Sequence, residues 1–482
     1  MKFPLILKTL GSLTILISFA LLVPLATSLY YQGPDVSVFC YSAAGCFSAG
    51  VLMYLCFRKA EGQLRNRDAL LLVSLGWVGM TVVGSIPYMI YGGPFTSFID
   101  AWFESSSGFT TTGASIVSDI ESLPHGVLIW RSFTQYLGGM GIIVLSVAIL
   151  PLIGVGGMEL YRAEVPGPTS EKISARVGET ARILWIVYLA FGTIETILLY
   201  LSGMTLFDAV NHSMTTMSTG GFSTKNASVA GFNSVLIDWI ITLFMFFGGL
   251  NFLLHYRFFV RRDPGALGDW ELKHFTLLVL SSILLLTVYV WGSSYPTFPE
   301  ALRYASFQAV SIVTTTGFAT ADYVLWGPFA HSLLLVLMII GGCAGSTAGG
   351  IKCVRAAVLL KQGYRELYLT IHRKAVFPLK LGGMTVPANV ISAIFGFFFL
   401  YIFILVLTGF FITASGVDMV TAFSGVISSL SNIGPGLGEV GPALNYSGLP
   451  ALAKVLLSAC MIIGRLEIFT ILVLFTSEFW ET

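Results

Sequence analysis

"SSSGFTTTGAS", residues 105–115, is a small polar run in a chain whose other residues are mostly Leu, Ile, Val and Phe. It completes the segment "DAWFESSSGFTTTGAS" at residues 100–115, which begins with an acid and continues with about a dozen fairly apolar residues. That length is about half of what a helix needs to cross a bilayer, which is typical of a re-entrant half-helix. The polar run is therefore expected to be irregular backbone at membrane depth.

The same pattern occurs three more times along the chain. The matching segments read "DAVNHSMTTMSTGGF" at 208–222, "EALRYASFQAVSIVTTTGFAT" at 300–320 and "DMVTAFSGVISSLSNIGPGLG" at 418–438. Each begins with an acid and leads to a glycine, and the four aligned glycines lie roughly 100 residues apart: Gly113, Gly220, Gly317 and Gly434. Because the period is regular, the repeat defines the expected architecture.

Composition identifies the chain as a membrane protein. Its 482 residues are 55% hydrophobic and only 11% charged, with a net charge of +1, so a soluble globular protein and a nucleic-acid partner are both excluded. Ten apolar runs are long enough to span a bilayer, near residues 5–29, 36–57, 69–92, 126–155, 182–204, 233–256, 274–294, 328–360, 386–414 and 449–477. The first run resembles a signal peptide, but a second follows at once, so an uncleaved span is predicted.

The positions of the basic residues predict the orientation. Alternate connections, together with the amino terminus, contain 21 of the 26 Lys and Arg residues, which places them and both termini in the cytoplasm. The sequence thus predicts an all-α polytopic protein of the bacterial cytoplasmic membrane. A two-span hairpin (1–67) precedes four repeats of span, re-entrant half-helix and span, with pseudo-fourfold symmetry around a central pore. The predicted repeats are residues 68–165, 166–265, 266–375 and 376–482.

The polar runs are predicted to form a potassium filter. An acid near the start of each half-helix leaves the negative carboxyl end pointing inward, where a cation is stabilised. Extended backbone after it, with glycine at one position, can present rings of carbonyl oxygens. The competing interpretation, hydroxyls bonded within helices and small residues at helix contacts, is disfavoured by four regular copies. The predicted filter residues are Thr111, Thr112, Gly113, Ser218, Thr219, Gly220, Thr315, Thr316, Gly317, Asn432, Ile433 and Gly434.

A gate is predicted below the filter. The run "GGCAGSTAGG" at 341–350 interrupts the third span that follows a half-helix, and such backbone is tolerated at this depth only in a pore or packed protein. The stretch "CMIIGRLEIF" at 460–469 places an arginine mid-span, where it needs carbonyl or acidic partners. We expect it to hydrogen-bond the loop and oppose cation flow. Close packing and a purely structural arginine are the alternatives. The predicted gate residues are Gly345, Ser346, Thr347, Gly349, Gly350 and Arg465, with Asn251 as a weaker candidate.

No enzyme is predicted. The run at 341–350 resembles a phosphate-binding loop, but Lys352 does not directly follow its last glycine and no Ser or Thr comes next. An intramembrane protease using Ser346 lacks a histidine or lysine at matching depth to activate the hydroxyl. Neither a catalytic residue nor an organic cofactor is therefore expected.

Six motifs together resemble one family: "GFTTTGAS", "STGGFST", "TTTGF", "SNIGPGLG", "GGCAGSTAGGIK" and "GRLEIFT". They resemble the Trk/Ktr/HKT superfamily of cation transporters, and the resemblance extends over essentially the whole chain. It implies potassium uptake, with Gly113 favouring potassium because a serine there goes with sodium preference. It also implies that residues 343–350 form an intramembrane gating loop and that Arg465 is its partner.

The resemblance also implies partners and leaves alternatives open. The implied partners are a second copy of the chain and a cytoplasmic nucleotide-binding ring of the TrkA type that regulates the gate. A sodium-permeable protein or an ion-coupled symporter on the same scaffold is the alternative function. Met217 and Ser218 replace the first two threonines of one filter segment, and Asn432, Ile433 and Pro435 make the fourth segment the most divergent.

Overall fold

The computed structural model describes residues 1–62, 65–148 and 170–481, and it is mostly helical. The α-helices are α1 Phe3–Ala20, α2 Leu22–Tyr30, α3 Val36–Cys56, α4 Asn66–Tyr91, α5 Phe98–Phe109, α6 His125–Ala148, α7 Ser170–Leu201, α8 Leu206–Met217, α9 Val235–Gly248, α10 Phe252–His255, α11 Trp270–Val290, α12 Phe298–Val313, α13 Pro328–Ile340, α14 Cys353–Ile371, α15 Ala388–Ala414, α16 Met419–Leu430, α17 Ala451–Arg465, α18 Phe469–Leu472 and α19 Ser477–Trp480. A π-helical turn, Tyr256–Val260, continues α10, and short 3-10 helices are Ser228–Phe232, Pro264–Gly268, Tyr323–Trp326, Gly438–Val440 and Val473–Phe475. Strands β1 Lys380–Leu381 and β2 Met384–Thr385 form an antiparallel pair.

Between six and eight elements in these ranges have the length and composition of membrane spans. The six continuous ones are Phe3–Tyr30, Val36–Cys56, Asn66–Tyr91, Ala181–Leu201, Trp270–Val290 and Ala388–Ala414. Two bent pairs, Val235–Gly248 with Phe252–Val260 and Ala451–Arg465 with Phe469–Phe475, bring the number to eight. The predicted all-α polytopic class is confirmed as a mostly helical one, with the short pair β1–β2 as an exception. The total of ten spans and the fourfold repeat architecture stay predictions. The predicted boundary between residues 165 and 166, and the predicted span 126–155 beyond Ala148, lie outside the described residues.

The outer faces of the helices expose large apolar side chains, and the buried polar side chains are concentrated in one part of the interior. Helix α15 exposes the phenylalanines 395, 399, 403 and 410. Fully buried polar residues instead gather on and after the four half-helices, which are α5, α8, α12 and α16, as with Ser106, Ser107, Thr215 and Ser311. Surfaces of this kind face lipid, while buried polar groups face other protein or a cavity.

The half-helices begin at hydrogen-bonded caps. The hydroxyls of Ser97, Thr205 and Thr297 each accept from the backbone N–H three residues on, which belongs to Asp100, Asp208 and Glu300. Each hydroxyl also donates to the carboxylate of that same acid, at 2.7–2.9 Å. In the fourth half-helix Asp418 is itself the cap and accepts from two backbone N–H groups. The acids that mark each repeat therefore fix where each half-helix starts.

The half-helices are packed in a circular order. Each contacts the span before it, the span after it and the span that follows the previous half-helix: α5 with α4, α6 and α17; α8 with α7, α9 and α6; α12 with α11, α13 and α9; α16 with α15, α17 and α13. The circle closes where the first half-helix meets the last repeat, and a 2.7 Å bond from Lys454 Nζ to Asp100 Oδ1 joins them there. The ends of the four half-helices consequently lie around a common centre.

Within the described ranges, three of the spans after half-helices are broken, whereas the sequence predicted one break. The predicted break separates α13 from α14 at residues 341–352. Helix α9 also stops at Gly248, and the chain turns by 103° before α10. Helix α17 ends at Arg465 and turns by 108°, because Glu467 and Ile468 both have left-handed backbone, with φ of 57° and 55°. The sequence did not predict this bend, and the predicted span 449–477 corresponds to one of the two bent pairs.

Candidate functional site

The residues that follow the four half-helices have the same backbone conformation. The second residue after each helix is left-handed with φ of 52–57°, and a glycine with φ of 79–104° lies two residues further on. These four triplets, called the ring segments here, are residues 111–113, 219–221, 315–317 and 432–434. Threonine and asparagine rarely adopt this conformation, so its recurrence at all four places indicates one common structure.

The ring segments form a closed circle. A Cβ added to the glycine of any segment would fall closer than 3.0 Å to the carbonyl oxygen of the middle residue of the next segment. The pairs are Gly113 with Gly220, Gly221 with Thr316, Gly317 with Ile433, and Gly434 with Thr112. The order around the circle is the order of the chain, and the fourth segment returns to the first. Only glycine is compatible with both the positive φ and this close approach.

The second segment lies one residue further along than predicted. The prediction aligned Ser218, Thr219 and Gly220 with 111–113, but the left-handed residue is Thr219 and the glycine with positive φ is Gly221. The cavity next to the ring agrees with this register, because it is lined by Gly221 together with the glycines of the other three segments. Ser218 is instead the residue that caps the end of α8.

A cavity of about 180 Å³ lies on the side of the ring from which the half-helices enter. Backbone of all four segments lines it, together with Arg131, Lys225 and Tyr446. Tyr446 is buried, and its hydroxyl donates a 2.6 Å hydrogen bond to the carbonyl oxygen of Gly434. The cavity connects this face of the molecule with the ring.

Side chains around the ring hold its segments in place. In the first and third segments the middle threonine, Thr112 or Thr316, shares a 2.8 Å hydroxyl bond with the threonine two residues earlier. The second segment has Gly220 at this position and no hydroxyl. There Gln135 of α6 donates to the Gly220 carbonyl at 2.6 Å and accepts from the Phe222 N–H at 3.1 Å. Gln135 thus occupies the space that a side chain at residue 220 would fill.

A buried ion pair that was not predicted from the sequence supports the outer ends of two ring segments. Arg131 of α6 is 1% exposed, and its Nε lies 2.8 Å from Glu104 Oε1 of the first half-helix. Arg131 also donates to the Ser223 carbonyl at 3.2 Å and to the Ser115 hydroxyl at 3.1 Å. In the sequence, the signal for this pair was that Arg131 and Glu104 are ionisable residues in apolar runs. The pairing itself depends on how α5 packs on α6.

The 341–352 loop lies against the other side of the ring, where the half-helices end. The Gly349 N–H donates to the Thr315 hydroxyl at 2.7 Å, which joins the loop directly to the third ring segment. The Thr347 hydroxyl donates to the carbonyls of Met217, at the end of α8, and Gly248, at the end of α9. The bend after α9 supplies further partners, since Cys343 N–H donates to the Gly249 carbonyl at 2.9 Å. Gly345 lies beside the Asn251 side chain.

Arg465 makes the contact with the loop that the sequence predicted. Its Nη1 donates to the Thr347 carbonyl at 2.7 Å, and its Nη2 donates to the Gly138 carbonyl at 3.3 Å. The residue is 2% exposed and ends α17. One guanidinium therefore connects the spans of the first and fourth repeats to the loop beneath the ring, and its gating role stays a prediction. Glu467, two residues on, pairs with Arg355 of α14 instead.

The glutamine at the second segment yields a testable prediction. Gln135→Leu keeps the volume but leaves the Gly220 carbonyl and the Phe222 N–H without their partner, at a cost of about 1–3 kcal/mol per buried group. We expect the ratio of potassium to sodium permeability to fall several-fold, measured from reversal potentials under bi-ionic conditions. Gln362→Leu in α14, a buried glutamine remote from the ring, is the matched control. Equal permeability ratios in both variants would contradict a role for Gln135 in the ring.

The ring segments form a closed ring inside a helical bundle with an apolar surface, with a cavity on one side of the ring and a loop on the other. This arrangement is expected of a polytopic cation transport protein. The family model for TrkH, described as a cation transport protein, matches residues 36–481. The chain belongs to this family, which is a family of transporters and not of enzymes.

Individual relatives match over the full length. The chain is 42% identical to the Trk system potassium uptake protein TrkH of Halomonas elongata and 40% identical to that of Escherichia coli strain K12, each over 100% of both chains. The crystal structure of the potassium transporter TrkH from Vibrio parahaemolyticus matches with a TM-score of 0.92 and 38% identity, again over 100% of both chains. Fold and sequence similarity therefore cover the whole chain.

Proposed function

We propose that this chain takes up potassium across the bacterial cytoplasmic membrane through a central pore. The observation that supports this most is the closed ring, in which each middle carbonyl oxygen lies against the glycine of the neighbouring segment. Four carbonyls at one level can replace the hydration shell of a monovalent cation without a charged side chain. The relatives named as potassium uptake proteins support potassium as the ion.

The potassium ligands in this proposal follow the structural register. They are the backbone carbonyls, with hydroxyl or amide oxygens where present, of residues 111–113, 219–221, 315–317 and 432–434. The half-helices support cation binding because their caps and acids lie at the far ends and their carboxyl ends, which are partly negative, point to the ring. Gly113 in the first segment favours potassium over sodium, as the family resemblance implies.

The proposed topology has ten spans, with both termini in the cytoplasm. A two-span hairpin (1–67) precedes four repeats, and the circular packing of the half-helices supports their pseudo-fourfold arrangement. In this orientation the 180 Å³ cavity faces the outside and the 341–352 loop lies on the cytoplasmic side of the ring.

The 341–352 loop is the proposed gate. Its hydrogen bond to Thr315 and its contacts with the ends of α8 and α9 support a position for the loop in the path from the ring toward the cytoplasm. Arg465 adds a positive charge at this level, which opposes cations until the loop moves. We also propose that the chain works as a homodimer, and that a cytoplasmic nucleotide-binding ring of the TrkA type regulates the loop.

Recording from the purified protein in planar lipid bilayers tests this function. We expect unitary currents whose reversal potential, with potassium on one side and sodium on the other, favours potassium. Equal or greater sodium permeability would favour the sodium-permeable alternative. Potassium-dependent growth of uptake-deficient cells without any unitary current would favour the ion-coupled symporter.

A further inference from the structure

A cavity of about 560 Å³ lies beside α14, away from the ring and the 341–352 loop. The chain that leads from α14 to β1 forms its other wall. Its apolar lining includes Leu360, Tyr364 and Phe377, which are 77%, 65% and 40% exposed. Its basic lining consists of Lys361, Arg365 and Lys380. The cavity is therefore amphipathic, since apolar side chains line one part of it and basic side chains line another.

The depth of this cavity is indicated by the two membrane spans that begin beside it. The chain that lines it continues into the span Ala388–Ala414, and Leu379 and Leu381 pack in one cluster with Trp270, at the start of the span Trp270–Val290. The cavity therefore lies level with the ends of two spans. Trp270, at the start of the span α11, stacks on His274 and lies 5.2 Å from Lys361 Nζ. Aromatic residues of this kind mark the interface between membrane and water.

The basic groups of the cavity are only partly used by the protein. Lys361 Nζ donates to the Lys380 carbonyl at 3.0 Å. Arg365 donates to the Phe377 carbonyl at 2.7 Å and to Gln362 at 3.3 Å. Among the described residues, the acid that pairs with the cluster is Glu366, 3.9 Å from Arg365 and 62% exposed, which makes it a weak partner. The cavity thus keeps positive charge and free N–H donors at headgroup level.

We propose that this cavity binds an anionic phospholipid of the cytoplasmic leaflet. Lys361, Arg365 and Lys380 bind the phosphate, and an acyl chain lies along Leu360, Tyr364 and Phe377. Basic pockets on the cytoplasmic side of membrane helices suit such headgroups in both charge and depth. The proposal rests on the orientation proposed above. Because α14 continues directly from the 341–352 loop, the bound lipid holds the helix to which that loop is attached.

Native mass spectrometry of the delipidated full-length protein tests this site. Phosphatidylglycerol and phosphatidylcholine with identical acyl chains are added separately, and inorganic phosphate serves as the free-anion probe. The site variant combines Lys361→Gln, Arg365→Gln and Lys380→Gln. The matched control combines Lys59→Gln, Arg261→Gln and Arg262→Gln, which removes equal charge from predicted cytoplasmic connections. We expect the wild type and the control to retain phosphatidylglycerol, and the site variant to bind it roughly tenfold more weakly.

Several outcomes would overturn the proposal. The proposal is overturned if the wild type binds the two lipids equally, or if the site variant binds phosphatidylglycerol as well as the wild type does. It is also overturned if inorganic phosphate binds as strongly as phosphatidylglycerol. A site variant that loses self-association but binds lipid normally would assign this face to a second copy of the chain. If the triple variant does not fold, the single variant Leu360→Trp replaces it. Residue 360 is exposed, so the larger side chain fills the apolar end of the cavity, and we expect it to weaken lipid binding without affecting folding. Normal potassium currents without lipid preference would reject this site while leaving the proposed function intact.

Discussion

Replacing Gly317 by serine is expected to lower the ratio of potassium to sodium permeability by roughly tenfold or more. Its φ of 80° already costs a residue with a side chain about 1–2 kcal/mol. A Cβ there would also overlap the Ile433 carbonyl oxygen, so that oxygen has to move out of the ring. Reversal potentials under bi-ionic conditions measure the ratio. Gly113→Ser, which approaches Gly220, is expected to change selectivity in the same direction.

A matched control separates backbone strain from displacement of the carbonyl. Gly416 has a φ of 95°, yet a Cβ added to it would meet no atom of the described residues within 4 Å. Gly416→Ser therefore imposes a similar conformational cost without any collision, and its permeability ratio should equal that of the wild type. If Gly317→Ser also keeps the wild-type ratio while folding normally, the carbonyl of Ile433 is not part of the selective site.

Removing the guanidinium of Arg465 is expected to increase potassium flux. Arg465→Ala deletes the hydrogen bonds to the Thr347 and Gly138 carbonyls and removes a positive charge next to the ring. The loop then loses its connection to α6 and α17, and cations no longer meet the charge. Rubidium uptake into proteoliposomes containing equal amounts of folded protein measures the effect, and we expect an increase of several-fold.

Two further variants show which property of Arg465 matters. Arg465→Lys keeps the charge but replaces the planar guanidinium group, which donates two hydrogen bonds here, with a single ammonium group. We therefore expect the flux of this variant to lie between those of the wild type and Arg465→Ala. Arg303→Ala removes an arginine that lies 3.7 Å from Asp238, remote from the loop, and should leave flux unchanged. Unaltered or abolished flux in a folded Arg465→Ala protein would contradict the gating role.

The half-helices were predictable because their signals are local. An acid at the start, a dozen residues of limited hydrophobicity and a final glycine occur in one continuous segment, and the structure caps each helix at that acid or three residues before it. The register of the second ring segment was not predictable in this way. Gly220 and Gly221 are adjacent, and it takes the backbone conformation and the contact of Gly221 with the Thr316 carbonyl to identify the equivalent glycine.

The features that the sequence analysis missed depend on tertiary contacts. The bend after Arg465 uses left-handed backbone at Glu467 and Ile468, residue types that rarely adopt it, so composition contains no signal for the turn. Neighbouring elements supply its support, since Glu467 pairs with Arg355 of α14. The Arg131–Glu104 pair and the Gln135 contact with Gly220 likewise join residues that only the packing of α6 brings together.

The location of a bound cation tests the ring most directly. Crystals grown in rubidium, which replaces potassium and scatters anomalously, should contain a peak on the central axis between the carbonyl oxygens of Thr112, Gly220, Thr316 and Ile433. The peak should weaken when potassium is added and persist when sodium is added at the same concentration. Anomalous density elsewhere, with none between these four carbonyls, would contradict the ring as the site of potassium selection.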